Sequence, residues 1–205
     1  MWAALPWISG DRRERMKNKL TILAAALLAL TTAASLHPAF AQDNSSSNPA
    51  AIGARVRSMV ELGSVYSNIY DIAITVLETC RGTDAVERLK AADPDVAMPP
   101  QGFEYLLARI KFELKGRAVT DNLTFTLGDE PLQWVALASD LTEYTGVSVT
   151  VPKPALAGRV KPGESMEGWV AFAVERNDSK PVMVFDPDTG GATGRGRTLF
   201  FKLYK

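Results

Sequence analysis

Apolar and polar residues alternate over much of the second half of the sequence. Between 104 and 115, one parity holds Leu106, Ala108, Ile110, Phe112 and Leu114 and the other holds Arg109, Lys111, Glu113 and Lys115, which is the period of a half-buried strand. The same period recurs at 123–127 and 147–151, and short β-branched and aromatic runs at 181–185 and 197–204 are two further strand candidates; these runs are bounded by Gly, Pro and Asp. These runs predict an all-β chain folded as an antiparallel sandwich or barrel.

The segment VKPGESMEGWVAF predicts a hairpin that leads into a central strand. Pro162 and Gly163 suit the two middle positions of a type II turn, which requires a positive φ at the glycine. In the strand that follows, parity places Phe172 on the apolar face and Trp169 on the opposite face, partly buried at the end of the sandwich. Gly168 within this strand indicates a bulge or a close approach by a neighbouring side chain, such as the Trp169 ring or one from the facing sheet.

One segment, TDAVERLKAAD, does not fit the strand period. Val86 and Leu89 share a helical face, Asp84 can cap the start, and Pro94 follows the end. The sequence therefore predicts one short helix over 85–92.

Cys80 is the one cysteine of the chain and cannot form an internal disulfide. It lies in IYDIAITVLETC, in register with the alternating residues Ile72, Ile74 and Val76. We expect a buried core thiol, since free cysteine is among the most buried residue types. An intermolecular disulfide or a nucleophile is the alternative, and a nucleophile would need an activating base.

The N-terminal region has the organisation of a secretory signal peptide. In residues 16–41, Lys17 and Lys19 precede an apolar run and an Ala-Phe-Ala ending. We expect a signal helix that is cleaved after Ala41. An uncleaved anchor through 20–36 is the alternative, although that stretch barely reaches a spanning length. Residues 1–15 are interpreted as a mis-called start.

Cleavage would change the charge and remove a whole class of chemistry. Residues 1–41 contain five of the 23 basic residues, two of the 23 acidic residues and the one histidine, His37. The remaining chain carries 18 basic and 21 acidic residues, a formal net charge of −3. We therefore expect no nucleic-acid partner, no histidine-based triad and no histidine metal ligand. Residues 42–50 are predicted to be a polar linker, and 51–205 one domain.

Three stretches carry a resemblance to a known family. They are GFEYLLARIKFEL, LAGRVKPGESMEGWVAFAV and the terminal FFKL, with AVERLKAADPDVAMPPQGFEYLLA typical of a recurring variant. Over 51–205 the chain resembles secreted bacterial domains of unknown function, of the telomeric-repeat-binding-factor type, grouped with the mycobacterial immunoprotective extracellular protein. The resemblance implies an immunoglobulin-like antiparallel β-sandwich and an extracellular location, and it carries over no catalytic residues. One departure is Lys115-Gly-Arg117, where such domains often have an Asn-rich turn.

Acidic residues offer the main alternative to a binding function. The carboxyl groups that cluster in mid-chain are those of Asp129, Glu130, Asp140 and Glu143. Two carboxyl groups in one cleft could hydrolyse a glycoside if one of them had a raised pKa. A segment that begins at Asp186 resembles the start of a calcium loop, but it lacks the oxygen ligands expected further along, so a turn is favoured. The glycine-rich segment 191–196 lacks the helix that phosphate loops need, so a loop is favoured there too.

Aromatic residues offer a third possibility, an exposed platform for sugar rings. The candidates are Trp134, Tyr144, Tyr105 and Tyr204. Trp134 shares the parity of Leu132 and Ala136, so inward packing is favoured for it. We nominate Trp169, Trp134 and Tyr144 as partner contacts and expect no catalytic residue, cofactor or metal. The sequence thus favours a secreted, non-enzymatic binding or accessory domain for a protein or glycan at the cell surface, with a glycan hydrolase or carbohydrate-binding module as the alternative.

Processing can be tested directly by mass. We expect the protein recovered from culture medium to have the intact mass of residues 42–205, because the signal pattern places the cut after Ala41. A mass that retains 20–36 would support the anchor instead.

Overall fold

The alternating segment at 104–115 lies in an interior strand of the largest sheet, next to its edge strand. The computed structural model describes residues 44–62, 68–117, 124–128, 133–187 and 194–205. Within these ranges the one α-helix is α1 (Thr83–Ala92). The strands are β1 (Arg55–Leu62), β2 (Asn68–Arg81), β3 (Phe103–Gly116), β4 (Phe125–Leu127), β5 (Trp134–Leu137), β6 (Gly158–Val160), β7 (Ser165–Glu175), β8 (Val182–Phe185), β9 (Gly194–Gly196) and β10 (Leu199–Lys202).

These strands pair antiparallel throughout. The largest sheet has five strands in the order β7-β3-β2-β1-β9, a second sheet has the order β10-β8-β5, and β4 pairs with β6. The predicted antiparallel β architecture is confirmed at this level. The strands predicted at 181–185 and 197–204 correspond to β8 and β10.

One face of the five-stranded sheet forms the main core. The β3 residues on this face are fully or almost fully buried: Leu106, Ala108, Ile110, Phe112 and Leu114. They share one cluster with Met183, Phe185 and Phe201 of the second sheet, and the rings of Phe112 and Phe185 lie 6.0 Å apart. The parity predicted for β3 is confirmed, since Arg109, Lys111, Glu113 and Lys115 lie on the opposite face.

The helix covers one end of that opposite face. Ala85 and Leu89 of α1 are completely buried against Tyr105, Leu107 and Trp169. The helix begins two residues earlier than predicted. Its N-cap is a glycine in the left-handed region, without a side-chain cap. The predicted capping role of Asp84 is therefore wrong, and this residue lies within the first turn.

A β-bulge changes the face on which Cys80 lies. Val76 pairs with Ile110, but the next pair joins Glu78 to Arg109, so β2 contains one extra residue. Beyond the bulge Cys80 pairs with Leu107 and lies on the helix-covered face, half-buried. Its predicted register with Ile72, Ile74 and Val76 is therefore wrong. Burial raises the pKa of the thiol despite the nearby Arg88, which lowers it.

The strand predicted at 147–151 is not formed. The segment has one bridge nearby, from Gly146 to Phe172, and no ladder of its own. Val147, Val149 and Val151 are nevertheless half-buried against the helix-side cluster. The alternation therefore arises because every second side chain packs against the helix-side cluster, and not because the segment pairs into a sheet.

The predicted polar linker, where it is described, is attached to the edge of β10. The Asn44 side-chain amide donates to the Phe200 carbonyl (2.6 Å) and accepts from the Phe200 N–H (2.8 Å). Ala50 then donates to the same carbonyl, and its own carbonyl accepts from the Lys202 N–H. Residues 44–50 therefore do not form the loose tether that composition suggested.

The expectations for the N-terminus lie outside the described residues. These are the mis-called start at 1–15 and the signal helix and cleavage site within 16–41. No helix in the described ranges combines the length and apolar character needed to cross a membrane.

Two glycines of the hairpin segment have different structural requirements. Gly163 has a φ of 96°, and the Glu164 N–H donates to the Lys161 carbonyl, as the predicted turn requires. Gly168 is instead required by space, because a Cβ there would lie 2.5 Å from the Ala155 carbonyl oxygen. The close approach is observed, but the expected side-chain partner is wrong, because the neighbouring group is the backbone of 155–156.

These two requirements predict different stability costs. Gly163→Ala should cost about 1–2 kcal/mol from the left-handed backbone alone, because a Cβ there meets open space. Gly168→Ala should cost about 3 kcal/mol or more, since the overlap with backbone cannot be relieved by a rotamer change. Urea unfolding would measure both, with Gly146→Ala as the control that has open space and no positive φ. Equal midpoints for the Gly168 and Gly146 variants would contradict the steric argument.

Burial of Phe172 predicts a further loss. Its side chain belongs to the main core, so Phe172→Ala should lower the free energy of unfolding by about 3–5 kcal/mol. A midpoint unchanged from wild type in urea would show that this strand does not contribute to the core as described.

Candidate functional site

Two of the three nominated aromatic residues belong to the interior. Trp169 is 6% exposed beneath α1, and the Arg88 guanidinium lies 4.9 Å from its ring centroid. Trp134 is 8% exposed and lies 4.7 Å from the Phe185 ring, centroid to centroid. These positions contradict the nomination of Trp169 and Trp134 as partner contacts, because helix and core residues already cover both rings.

Tyr144, the third, lies at the edge of an open groove. It is 9% exposed, and its ring meets Phe103 edge to face with centroids 6.3 Å apart. Its hydroxyl donates to Asp178 Oδ2 at 2.8 Å. The phenol is thus held in place from both sides, with little of its ring available as a surface for a sugar.

The groove, here called the Tyr144 groove, lies where β3 begins and β5 and β7 end. Its volume is about 770 Å³. Among the described residues, four acidic side chains line it together with apolar and neutral polar ones, and no Lys or Arg does. The lining residues that carry the argument are Phe103, Asp140, Glu143, Glu175, Asn177 and Asp178.

Asp178 is the best-connected carboxylate of this groove. It accepts hydrogen bonds from the Ser139 hydroxyl, the Tyr144 hydroxyl and the Lys180 backbone N–H. Partial burial would raise its pKa, but these hydrogen bonds and the charge of Arg81 outweigh burial and lower the pKa below its ordinary value. The carboxylate is therefore ionised at neutral pH.

Arg81, the last residue of β2, fixes the loop that carries Asp178. Its guanidinium donates to the backbone carbonyls of Asp178 (2.6 Å) and Glu175 (2.7 Å). The same side chain forms an ion pair with Glu104. Because guanidinium is planar and has five donors, one residue can hold several carbonyls in a fixed arrangement.

The other titratable groups with resolved shifts also favour binding over acid–base chemistry. Burial, followed by the bond to Asp178, raises the pKa of Tyr144 to about 12, so the phenol stays protonated at neutral pH. The pKa of Asp140 is lowered, first by the Thr142 backbone N–H. A glycosidase acid needs a raised pKa, and both aspartates here have lowered ones.

The predicted acidic cluster is brought together only in part. Asp140 and Glu143 line the groove, whereas Asp129 and Glu130 lie outside the described residues. The groove also contains two carboxylates that the predicted cluster did not include. Glu175 lies at the far end of β7, and Asp178 lies in the loop after it. Within the described ranges no group of three or more His, Cys, Asp or Glu side chains is arranged to hold a metal ion.

The other motifs considered from sequence add nothing to the groove. The calcium-like segment continues from Asp186 into 188–193, which lie outside the described residues. The loop predicted for the glycine-rich segment is wrong for its described part, since Gly194–Gly196 forms β9 and pairs with β1, and 191–193 lie outside the described residues.

Comparison with known proteins provides no relative for this chain. No family model matches it, and no curated protein or solved structure matches it significantly. The resemblance described from the sequence motifs therefore stays a hypothesis.

The pKa shifts predict how stability depends on pH. The folded-state pKa of Tyr144, about 12, exceeds the ordinary 10.0, so its contribution is complete below pH 10 and is lost as the pH rises toward 12. Tyr144→Phe should therefore flatten the alkaline decline in the free energy of unfolding. The pKa of Asp178 is lowered, so its contribution is present above pH 3.8 and is lost as the pH falls through the folded-state value.

Urea unfolding at a series of pH values would measure both effects. Asp178→Asn should be less stable than wild type at pH 7, and this difference should shrink below pH 3.8. A Tyr144→Phe alkaline profile that overlays wild type would contradict the assigned hydrogen bond.

Proposed function

We propose that this chain is a secreted, non-enzymatic binding domain of the immunoglobulin-like β-sandwich type. Two antiparallel sheets that share one core support the sandwich assignment, together with the sequence motifs around 160–172. The signal pattern at 16–41 supports secretion. The ligand site that we propose is the Tyr144 groove.

The ligand chemistry follows from which groups the groove offers. Four carboxylates and the Asn177 amide line it without any basic side chain, so it presents hydrogen-bond acceptors and negative charge. Phe103 and Val147 add apolar surface beside these acceptors. A lysine or arginine side chain of a partner protein has the matching features, an aliphatic stem and a cationic head.

A sugar ligand is less well supported by the same groove. Sugar platforms need an aromatic face open to solvent, and Tyr144 is 9% exposed while Trp134 and Trp169 belong to the interior. Glycoside hydrolysis is also less well supported, because it needs a carboxyl group with a raised pKa. The observation that carries the binding proposal is the set of four carboxylates, the ionised Asp178 among them, in a groove whose described lining includes no Lys or Arg side chain.

Titration with short basic peptides tests this proposal. We expect oligolysine and oligoarginine peptides to bind the mature chain, and acetylated oligolysine to bind at least about tenfold more weakly, because acetylation removes the charge. Asp140→Asn with Glu143→Gln should weaken binding, because both side chains are exposed in the groove. Glu87→Gln, an exposed neutralisation on α1, is the matched control and should bind as wild type does.

Two results would overturn the proposal. Equal binding of acetylated and unmodified oligolysine would show that the groove does not select cations. Release of reducing ends from oligosaccharides, lost in Asp140→Asn or Asp178→Asn, would establish the hydrolase alternative instead.

A further inference from the structure

A second groove lies at the other end of β3, on the outer face of the five-stranded sheet. Its volume is about 1110 Å³. The residues that line it come mainly from β1, β2 and β3 and from the turn before β7. Those that carry the argument are Arg55, Arg57, Met59, Asp71, Ala73, Glu113, Lys115 and Arg117. We call it the basic groove.

Three acidic residues line the basic groove, and two of them, Glu113 and Asp71, are already paired with cations; the third, Glu164, accepts from the Lys161 backbone N–H at 2.9 Å. Glu113 accepts from Arg55 Nε at 2.6 Å and lies 3.3 Å from Lys111 Nζ. Burial would raise its pKa, but these two cations outweigh burial and lower it. Asp71 accepts from Arg117 Nε at 3.0 Å and from a second nitrogen of the same guanidinium. Neither carboxylate is available to neutralise further cations.

Two cations therefore remain without an acidic partner in the described part of the chain. Arg57 and Lys115 are both exposed, and neither forms an ion pair or a side-chain hydrogen bond there. Arg57 pairs in register with Ala73 of β2, and Lys115 pairs with Asp71, two residues away along that strand. Since neighbouring strands are about 4.8 Å apart, the two cations lie on strands about 10 Å apart.

Between them β2 places the small residue Ala73, which is 4% exposed, and the Arg55–Glu113 ion pair joins β1 to β3 across this part of β2. An extended chain would therefore lie over the long side chains of β1 and β3, not on the sheet itself. Met59 of β1 lines the groove opposite Asp71 and is 55% exposed. Ile69, two residues before Asp71 on β2 and outside the groove lining, is 51% exposed.

We propose that the basic groove binds an extended peptide segment of a partner protein that carries both carboxylate and aliphatic side chains. Charge complementarity to Arg57 and Lys115 selects the carboxylates. The exposed Met59 and Ile69 favour a peptide over an anionic polysaccharide, because a polysaccharide has no aliphatic side chains to cover them. The site is separate from the Tyr144 groove and opposite to it in charge preference.

A labelled model peptide tests the proposal. The probe is a fluorescein-labelled peptide of about ten residues built from Glu and Leu, which spans about 33 Å when extended. A matched peptide has Gln in place of Glu, and heparin serves as the anionic polysaccharide. We expect the mature chain to bind the Glu peptide in preference to both. The affinity should fall as salt is raised, because exposed charges are screened.

Charge reversal locates the site. Arg57→Glu with Lys115→Glu should raise the Kd for the Glu peptide about tenfold or more, because both cations turn into repulsive groups. Lys153→Glu, an exposed reversal away from the groove, is the matched control and should leave the Kd near wild type. Met59→Ser should weaken binding of the Glu peptide without changing its salt dependence. Urea midpoints near wild type would show that these exposed variants still fold.

Three results would overturn the proposal. One is equal affinity for the Glu and Gln peptides, or no binding of either. Another is the same loss of affinity with Lys153→Glu as with the double variant, which would indicate a non-specific charge effect. The third is tighter binding of heparin than of the Glu peptide, lost in the double variant, which would assign the groove to a polysaccharide.

Discussion

Hydrogen bonding of β3 on both sides is the constraint on which the rest of this structure depends. Because β2 pairs with its residues 106–116 and β7 with 103–113, successive side chains must point to opposite faces of the sheet. One face then supplies the main core. The other is divided along its length, with α1 covering the end near Tyr105 and charged residues occupying the end near Lys115. The two grooves lie at the two ends of this one strand.

Features that depend only on residues close together in the sequence could be predicted from it. The parity of β3 and β7, the turn at Gly163 and the presence of one helix follow from local pattern, and all are observed. The register of Cys80 could not be predicted, because a single extra residue in β2 reverses the parity beyond it and leaves no clear mark in composition. The segment at 147–151 has the pattern of a strand but lies on a surface without a pairing partner.

The Tyr144 groove is formed by contacts between residues that are far apart in the sequence. Tyr144 was selected for its aromatic ring, yet its most informative contact is with Asp178, 34 residues away. Arg81, which fixes the Asp178 loop, is 97 residues from that aspartate and carried no local signal. Such a site assembles only when β2, β5 and β7 end at the same edge of the fold, and pairing order cannot be obtained from period alone.

The side-chain amide of Asn44 hydrogen-bonds to the Phe200 backbone as a peptide unit of a neighbouring strand would. With Ala50 it satisfies both polar backbone groups on the outer side of that residue. An uncovered strand edge of this kind is a template on which a second molecule can add a strand, and successive additions lead to aggregation. Residues 44–50, which composition predicts to be a linker, therefore protect this strand edge from pairing with a second molecule. The cut predicted after Ala41 would leave Asn44 in place, whereas a cut a few residues further along would remove it and expose that edge.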